Sequence, residues 1–260
     1  MEAPQLFDRE ARRQRRARAA RTIGGADYLH RRAGDELLER LDLVTRSFTA
    51  AAVIGALGHD LAPALRARGT AVLIVDHGFG AAAGGVQADE DRLPIADGSV
   101  DLVIALGTLD TVNDLPGALL LIRRALAPGG LFLGALSGAG SLPRLRAAMM
   151  AADEAEGRGA APRLHPQVDV RSLGDLLLRA GFVQPVVDGD SVDILFPSLA
   201  ALVADLRATG AGNVLAARSR VPIGRRGLGA ARASFAAAAG SDGRTTERAE
   251  LLYLTAWKPQ

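Results

Sequence analysis

Ala50 to Asp76, AAAVIGALGHDLAPALRARGTAVLIVD, decides how the chain is read. Ala51-Ala52-Val53-Ile54 is a short buried-strand run, and Gly55 and Gly58 permit a sharp turn. Leu61 to Arg68 can form a crossover helix, and Val72 to Val75 is a β-branched second strand that ends on Asp76. Asp76 follows Gly55 by 21 residues, near the spacing at which a carboxylate reaches a ribose hydroxyl. The pattern predicts the opening βαβ unit of a nucleotide-binding α/β sheet. The competing reading is a plain strand-to-helix turn, and the rest of the chain has to decide between them.

Strand and helix signals alternate downstream. Val100 to Leu106 is apolar except for Asp101, as in a central parallel strand covered on both faces. Leu115 to Leu126 reads as a helix stopped by Pro128-Gly129-Gly130, and Leu131 to Leu136 as the next buried strand. Ser141 to Glu156 and Val170 to Ala180 read as helices, the second ended by Gly181, and Phe182 to Val187 as a strand. From Ser198 the pattern changes: a helix ending at Gly210 and a second over Arg225 to Ala239 suggest a helical insertion. Glu247 to Lys258 alternates like a last strand.

Ahead of this unit, Ala33 to Val44 places Leu37, Leu38, Leu41 and Val44 at helical spacing. Gln5 to Arg21 has helix-forming composition and little apolar stripe. Met1 to Arg21 holds seven arginines against Glu2, Asp8 and Glu10, so the net charge of +2 is concentrated there. Such a run is ordinarily a solvated face; the other reading is that it touches an anionic ligand or partner.

With 260 residues, 48% of them hydrophobic, the chain suits one large α/β domain with an added element. No run approaches the roughly 18 apolar residues of a membrane span, and the start lacks the regions of a signal peptide, so the expected location is cytoplasmic. The absence of cysteine excludes disulfides and thiolate chemistry. His30, His59, His77 and His165 lack metal-ligand spacing, so no metal site is expected. The basic residues are almost all arginine, with Lys258 the sole lysine, which explains a high isoelectric point without invoking nucleic acid.

Taken together, Asp76, Ala88-Asp89-Glu90 with Leu93-Pro94-Ile95, Ser99-Val100-Asp101-Leu102-Val103 and Leu126-Ala127-Pro128-Gly129-Gly130 resemble the class I S-adenosylmethionine (SAM) methyltransferase family. The resemblance implies a Rossmann-like seven-stranded α/β sheet with an antiparallel last strand. It also implies N-terminal helices over residues 1–48, a methyltransferase-like domain over 49–260 and a helical insertion at about 197–245. It assigns Asp76 to the ribose of SAM and Asp89 to its adenine, with Gly55, Gly58 and Glu90 as further cofactor-binding candidates.

A closer likeness, nearly end to end, is to bacterial relatives of complex I assembly factor five, with the biotin-synthesis carrier-protein methyltransferases more distant. It rests on Leu6-Phe7-Asp8-Arg9, Val112-Asn113-Asp114-Leu115-Pro116, Leu173-Gly174 with Arg179 to Phe182, Asp205 to Asn213, and Trp257-Lys258. The mitochondrial member of that group is implicated in arginine hydroxylation of a complex I subunit, so the implied partner is a protein. This sequence departs from the family at the turn Val53-Ile54-Gly55-Ala56-Leu57-Gly58-His59, which keeps only the first glycine in register and lacks an acid at Val53. Asp110-Thr111 replaces the family's His-Trp pair. Weak or absent SAM binding is therefore expected. Two functions stay open: an enzyme with a lid built from the basic start and the insertion, or a non-catalytic assembly protein on the same fold. Asp110, Asp114 and His165 each read as turn or cap residues, and no catalytic base is named.

Overall fold

Val100–Leu106 (β4) is the middle of the molecule because its side chains alternate between two apolar layers. Val103 and Ala105 enter one layer, and Leu102, Ile104 and Leu106 the other. In the computed structural model, which describes residues 5–82, 84–157 and 159–260, β4 pairs in parallel with Ala50–Gly55 (β1) and Leu126–Ser137 (β5). Glu2 and Ala83, the latter in the Gly- and Ala-rich turn after Asp76, lie outside the described residues.

Ala71–Asp76 (β2) and the two-residue Val86–Gln87 (β3) extend the sheet on the β1 side. Val183–Phe196 (β6) and Thr245–Trp257 (β7) complete it antiparallel, in the order β3-β2-β1-β4-β5-β7-β6. Helices cover both faces, as a sheet of such unbroken apolar strands requires. Leu115–Ala125 (α4) and Val170–Arg179 (α6) bury Leu119, Ile122, Leu173 and Leu177 on one face. Tyr28–Asp42 (α2) and Leu61–Ala67 (α3) bury Leu37, Leu41, Leu61 and Leu65 on the other. The remaining helices are Arg9–Thr22 (α1), Pro143–Glu156 (α5), Leu199–Ala208 (α7) and Arg225–Ala236 (α8).

Four elements differ from the sequence reading. Pro128-Gly129-Gly130, read as a turn ahead of a strand at Leu131, lies inside β5, which already starts at Leu126. β6 continues to Phe196 instead of stopping at Val187; Asp188, Asp190 and Asp193 interrupt its apolar pattern because it is an edge strand, where charge is tolerated. Those acids pair with Arg40, Arg32 and Arg248. The insertion does not project freely: Leu199, Leu202, Ala231 and Phe235 share a core with Leu145, Ala148 and Ala152 of α5. α1 begins at Arg9 because Asp8 caps it, accepting from the Ala11 N–H at 2.9 Å, while Phe7 bridges to Leu215.

Buried Ile104 and exposed Leu178 give a check on this packing. Ile104→Ala should cost about 2–5 kcal/mol, whereas Leu178→Ala, at a side chain 56% exposed, should stay within about 0.5 kcal/mol. Urea midpoints of the two variants measure the difference; equal costs would contradict the central placement of β4.

Candidate functional site

The parallel strands deliver Gly55 and Asp76 to their carboxyl ends, and the chain after β3 brings Asp89 and Glu90 beside them. Here open α/β sheets form their ligand crevice. All three carboxylates are buried: Asp76 and Glu90 are 0% exposed and Asp89 2%. Unpaired charge at such depth would cost several kcal/mol per ion.

The opposite charge comes from α1. Arg9, Arg12, Arg13 and Arg16 stand at i, i+3, i+4 and i+7, so one helix face carries all four. Arg16 meets Asp76 through Nε at 3.0 Å and Nη2 at 2.9 Å. Arg12 donates to Glu90 at 2.7 Å, to the Thr108 carbonyl at 2.8 Å and to Thr111 Oγ1 at 2.9 Å. Arg13 reaches Asp89 at 2.6 Å; Arg9 reaches Asp89 at 3.0 Å and binds Asp91 through two bonds of 2.7 Å. The stripe is arginine instead of leucine, which is why a search for apolar periodicity passes over it. The solvated-face reading fails for Arg12 and Arg16, 4% and 5% exposed.

Burial would push the Glu90 carboxyl up, but Arg12 and the His77 ring, 3.1 Å away, outweigh it and hold it well below the usual carboxylate range. Burial lowers His77 itself, against the pull of Glu90. His30, near Arg16 and Asp27, is lowered to about 4, first by burial and then by repulsion from Arg16.

Upstream, Asn113 holds the Phe7 backbone at both ends: the Phe7 N–H donates to Oδ1 at 2.8 Å, and Nδ2 donates to the Phe7 carbonyl at 3.0 Å. Phe7 packs on Val214 and Leu215 and meets the His165 ring edge-on. His165 accepts from the Val214 N–H at 3.0 Å, and Asp8 pairs with Arg218. Asp114 caps α4 through the Gly117 N–H, and Asp110 lies in the turn Leu109–Thr111. The segments 6–9 and 112–116, which looked like separate marks in sequence, meet through Phe7 and Asn113, and Gly210 and Gly212 of the segment 205–213 lie against Ala19 and Arg15 of α1.

A family described as a methyltransferase domain matches residues 42–134. The chain is 30% identical over 267 residues to the arginine-hydroxylase NDUFAF5, mitochondrial, of Danio rerio, covering 98% of this chain and 83% of that protein. It is 33% identical over 275 residues to the malonyl-[acyl-carrier protein] O-methyltransferase of a Methylovorus strain, covering 98% and 90%. This chain belongs to the class I SAM-dependent methyltransferase family. The fold agrees with the crystal structure of the Burkholderia thailandensis 1,6-didemethyltoxoflavin-N1-methyltransferase, which contains S-adenosylhomocysteine: TM-score 0.52, 17% identity, 100% of this chain and 94% of that one.

The glycine turn is packed against α1 and the elements that follow it. A Cβ on Gly55, whose φ is +85°, would strike the Leu106 carbonyl and lie 3.3 Å from Arg16 Nη2; one on Gly78 would lie 2.5 Å from Arg16 Cγ. Gly58 faces the connection after α1, where a Cβ would sit 2.9 Å from Asp27 Cβ. His59 lies against Gly34 and bonds Asp35 at 3.0 Å, so its ring is turned onto α2. Val53, at the position of the missing acid, is packed in the layer under α2 and α3. With α1 seated, guanidinium groups hold Asp76, Asp89 and Glu90. Among the described residues of this cluster, Asp89 Oδ1 and Thr108 Oγ1 are buried without hydrogen-bond partners, as are Arg9 Nε and Arg13 Nε on α1.

Buried His77 and half-buried His30 predict acid sensitivity. Their protonation is depressed in the folded chain relative to the unfolded one, so the stability they contribute is complete above pH 6.5 and is lost as pH falls towards the folded value. For His30 the window runs from 6.5 to about 4 and amounts to about 3 kcal/mol. His30→Gln should flatten the pH dependence of the urea midpoint in that window; an unchanged slope would contradict the burial of His30 as a neutral ring.

Proposed function

We propose that this chain is a methyltransferase-fold protein of the assembly-factor kind, which binds or acts on a protein partner through the crevice at the ends of β1, β2 and β3, and holds SAM weakly or not at all. The supporting observation is that the buried acids Asp76, Asp89 and Glu90 are matched to guanidinium groups. Arginine's planar fork binds carboxylates through two bonds at once, as Arg16 does on Asp76. A crevice of this chemistry suits an arginine presented by a protein, in keeping with the name of the arginine-hydroxylase relative. By the same resemblance, the partner is a subunit of respiratory complex I. A division into residues 1–48 and 49–260, with an insertion at about 197–245, and a cytoplasmic location belong to the proposal. No described helix is long and apolar enough to cross a membrane.

The second reading is an active SAM-dependent methyltransferase on a protein or small molecule. Gly55, Asp76 and Asp89 at the strand ends favour it, as does the likeness to the malonyl-carrier-protein methyltransferases. Against it stand Leu57 and the packed Val53, which remove two or three polar interactions worth about 0.5–3 kcal/mol each.

Calorimetric titration separates the two. SAM should bind at least tenfold more weakly than a micromolar ligand, equivalent to about 1.4 kcal/mol; micromolar binding by the unaltered chain would favour the methyltransferase reading. For the partner reading, acetyl-Gly-Arg-Gly-amide should bind at least tenfold better than the same peptide with neutral citrulline for arginine. Equal binding would remove guanidinium recognition from the account.

A further inference from the structure

The crevice residues face two possible occupants, and the way α1 is held bears on which one they take. Of α1, only Arg12, Arg16 and Ala19 are buried, so the helix is seated mainly by ion pairs and hydrogen bonds. Its upstream anchor is different in kind: Phe7, Val214 and Leu215 make an apolar contact, and the Asn113 side chain clamps the Phe7 backbone. Downstream lies Gly24-Gly25, with Gly25 at φ +81° and nothing within 4 Å of either added Cβ. A helix held by charge between an apolar latch and an unpacked glycine pair can leave without disturbing the sheet core.

The match between α1 and the crevice is also incomplete. Asp89 Oδ1 and Thr108 Oγ1, in side chains 2% and 0% exposed, have no hydrogen-bond partner. Arg12 stays 3.9 Å from Asp89 Oδ1 and donates to the Thr108 carbonyl instead of its hydroxyl. Buried polar atoms of this kind are nearly always satisfied; with Arg9 Nε and Arg13 Nε also unpartnered, α1 and the groups it meets leave hydrogen-bonding capacity unused.

We propose that α1 is a displaceable arginine plug: Arg9, Arg12, Arg13 and Arg16 occupy the crevice in the resting chain, and an adenosine-bearing ligand gains Asp76 and Asp89 only when α1 leaves. This rests on the reading that the crevice is the family's cofactor site, and it adds regulation to it. Weak SAM binding then has a cause besides the altered glycine turn, since the ligand has to compete with four guanidinium groups at effectively unimolecular concentration. Anything that draws the arginines away, such as an acidic partner surface, would open the site.

The test uses the full chain, with S-adenosylhomocysteine as the probe, read by calorimetry and by amide hydrogen exchange over residues 9–22 and 100–106. Arg12→Gln with Arg16→Gln removes the plug's buried charges; Asn113→Ala loosens the latch and leaves every crevice residue in place. Each should bind the probe at least tenfold more tightly than the unaltered chain. Saturation should raise exchange in 9–22 while 100–106 stays protected. Equal affinities in folded variants, or probe bound with residues 9–22 still protected, would overturn the plug. If the arginine double variant fails to fold because its carboxylates are left bare, Asn113→Ala carries the same comparison. Absence of probe binding in every form overturns the plug and leaves the protein-partner reading standing.

Discussion

Three carboxylates at the ends of parallel strands, shut away from water, impose the condition to which the rest of the crevice answers. Burying Asp76, Asp89 and Glu90 at that depth is costly unless positive charge and hydrogen bonds surround them. α1 supplies both, with guanidinium groups spaced to meet the acids in turn. Charge, and not apolar area, therefore decides where the first helix lies. The Gly78 N–H adds a bond of 2.7 Å to Asp76, and His77 adds one to Glu90, so the acids are also held from below. Such pairs are weak contributors to net stability and strong contributors to position, because breaking one leaves its partner buried and bare.

Other parts of the chain follow from seating α1. Thr111, where the family has a His-Trp pair, receives Arg12. Asn113 clamps Phe7, and the loop beyond α7 supplies Val214, Leu215 and Arg218 to the residues just ahead of the helix. α7 and α8 share their core with α5, which in turn is capped from β7: Glu247 accepts from the Arg144 and Leu145 N–H groups. The insertion thus connects the far edge of the sheet with the mouth of the crevice.

The order of strands and helices was legible because the central strands are apolar on both faces and the turns carry glycine and proline; Val100 to Leu106 needed no structure to be read, whereas Pro128-Gly129-Gly130 reads as a turn and lies within β5. The length of β6 was hidden by its aspartates, whose arginine partners lie on α2 and β7 and so could not be inferred locally. At the crevice, Asp76 and Asp89 were picked out by spacing and resemblance; the structure puts Asp76 at the end of β2, on the strand paired with β1, and Asp89 in the chain after β3. What sequence reasoning missed was the role of the arginines, although their i, i+3, i+4, i+7 spacing was in plain view. Amphipathicity is usually sought as an apolar stripe, and a stripe of charge is assumed to face water. The roles of Gly58 and His59 also escaped, since both depend on how the connection to α2 and α2 itself fold back over the turn.

The central claim is that α1 is bound to the crevice by its arginines, and the Arg16–Asp76 pair tests it most directly. A double-mutant cycle with Arg16→Gln, Asp76→Asn and their combination, read by urea unfolding, isolates the pairwise energy. Both groups are almost fully buried, and the account predicts a coupling above about 1.5 kcal/mol, with the double variant more stable than the sum of the single losses implies. Additive single losses, within about 0.5 kcal/mol, would mean that the two side chains do not hold one another and would contradict it.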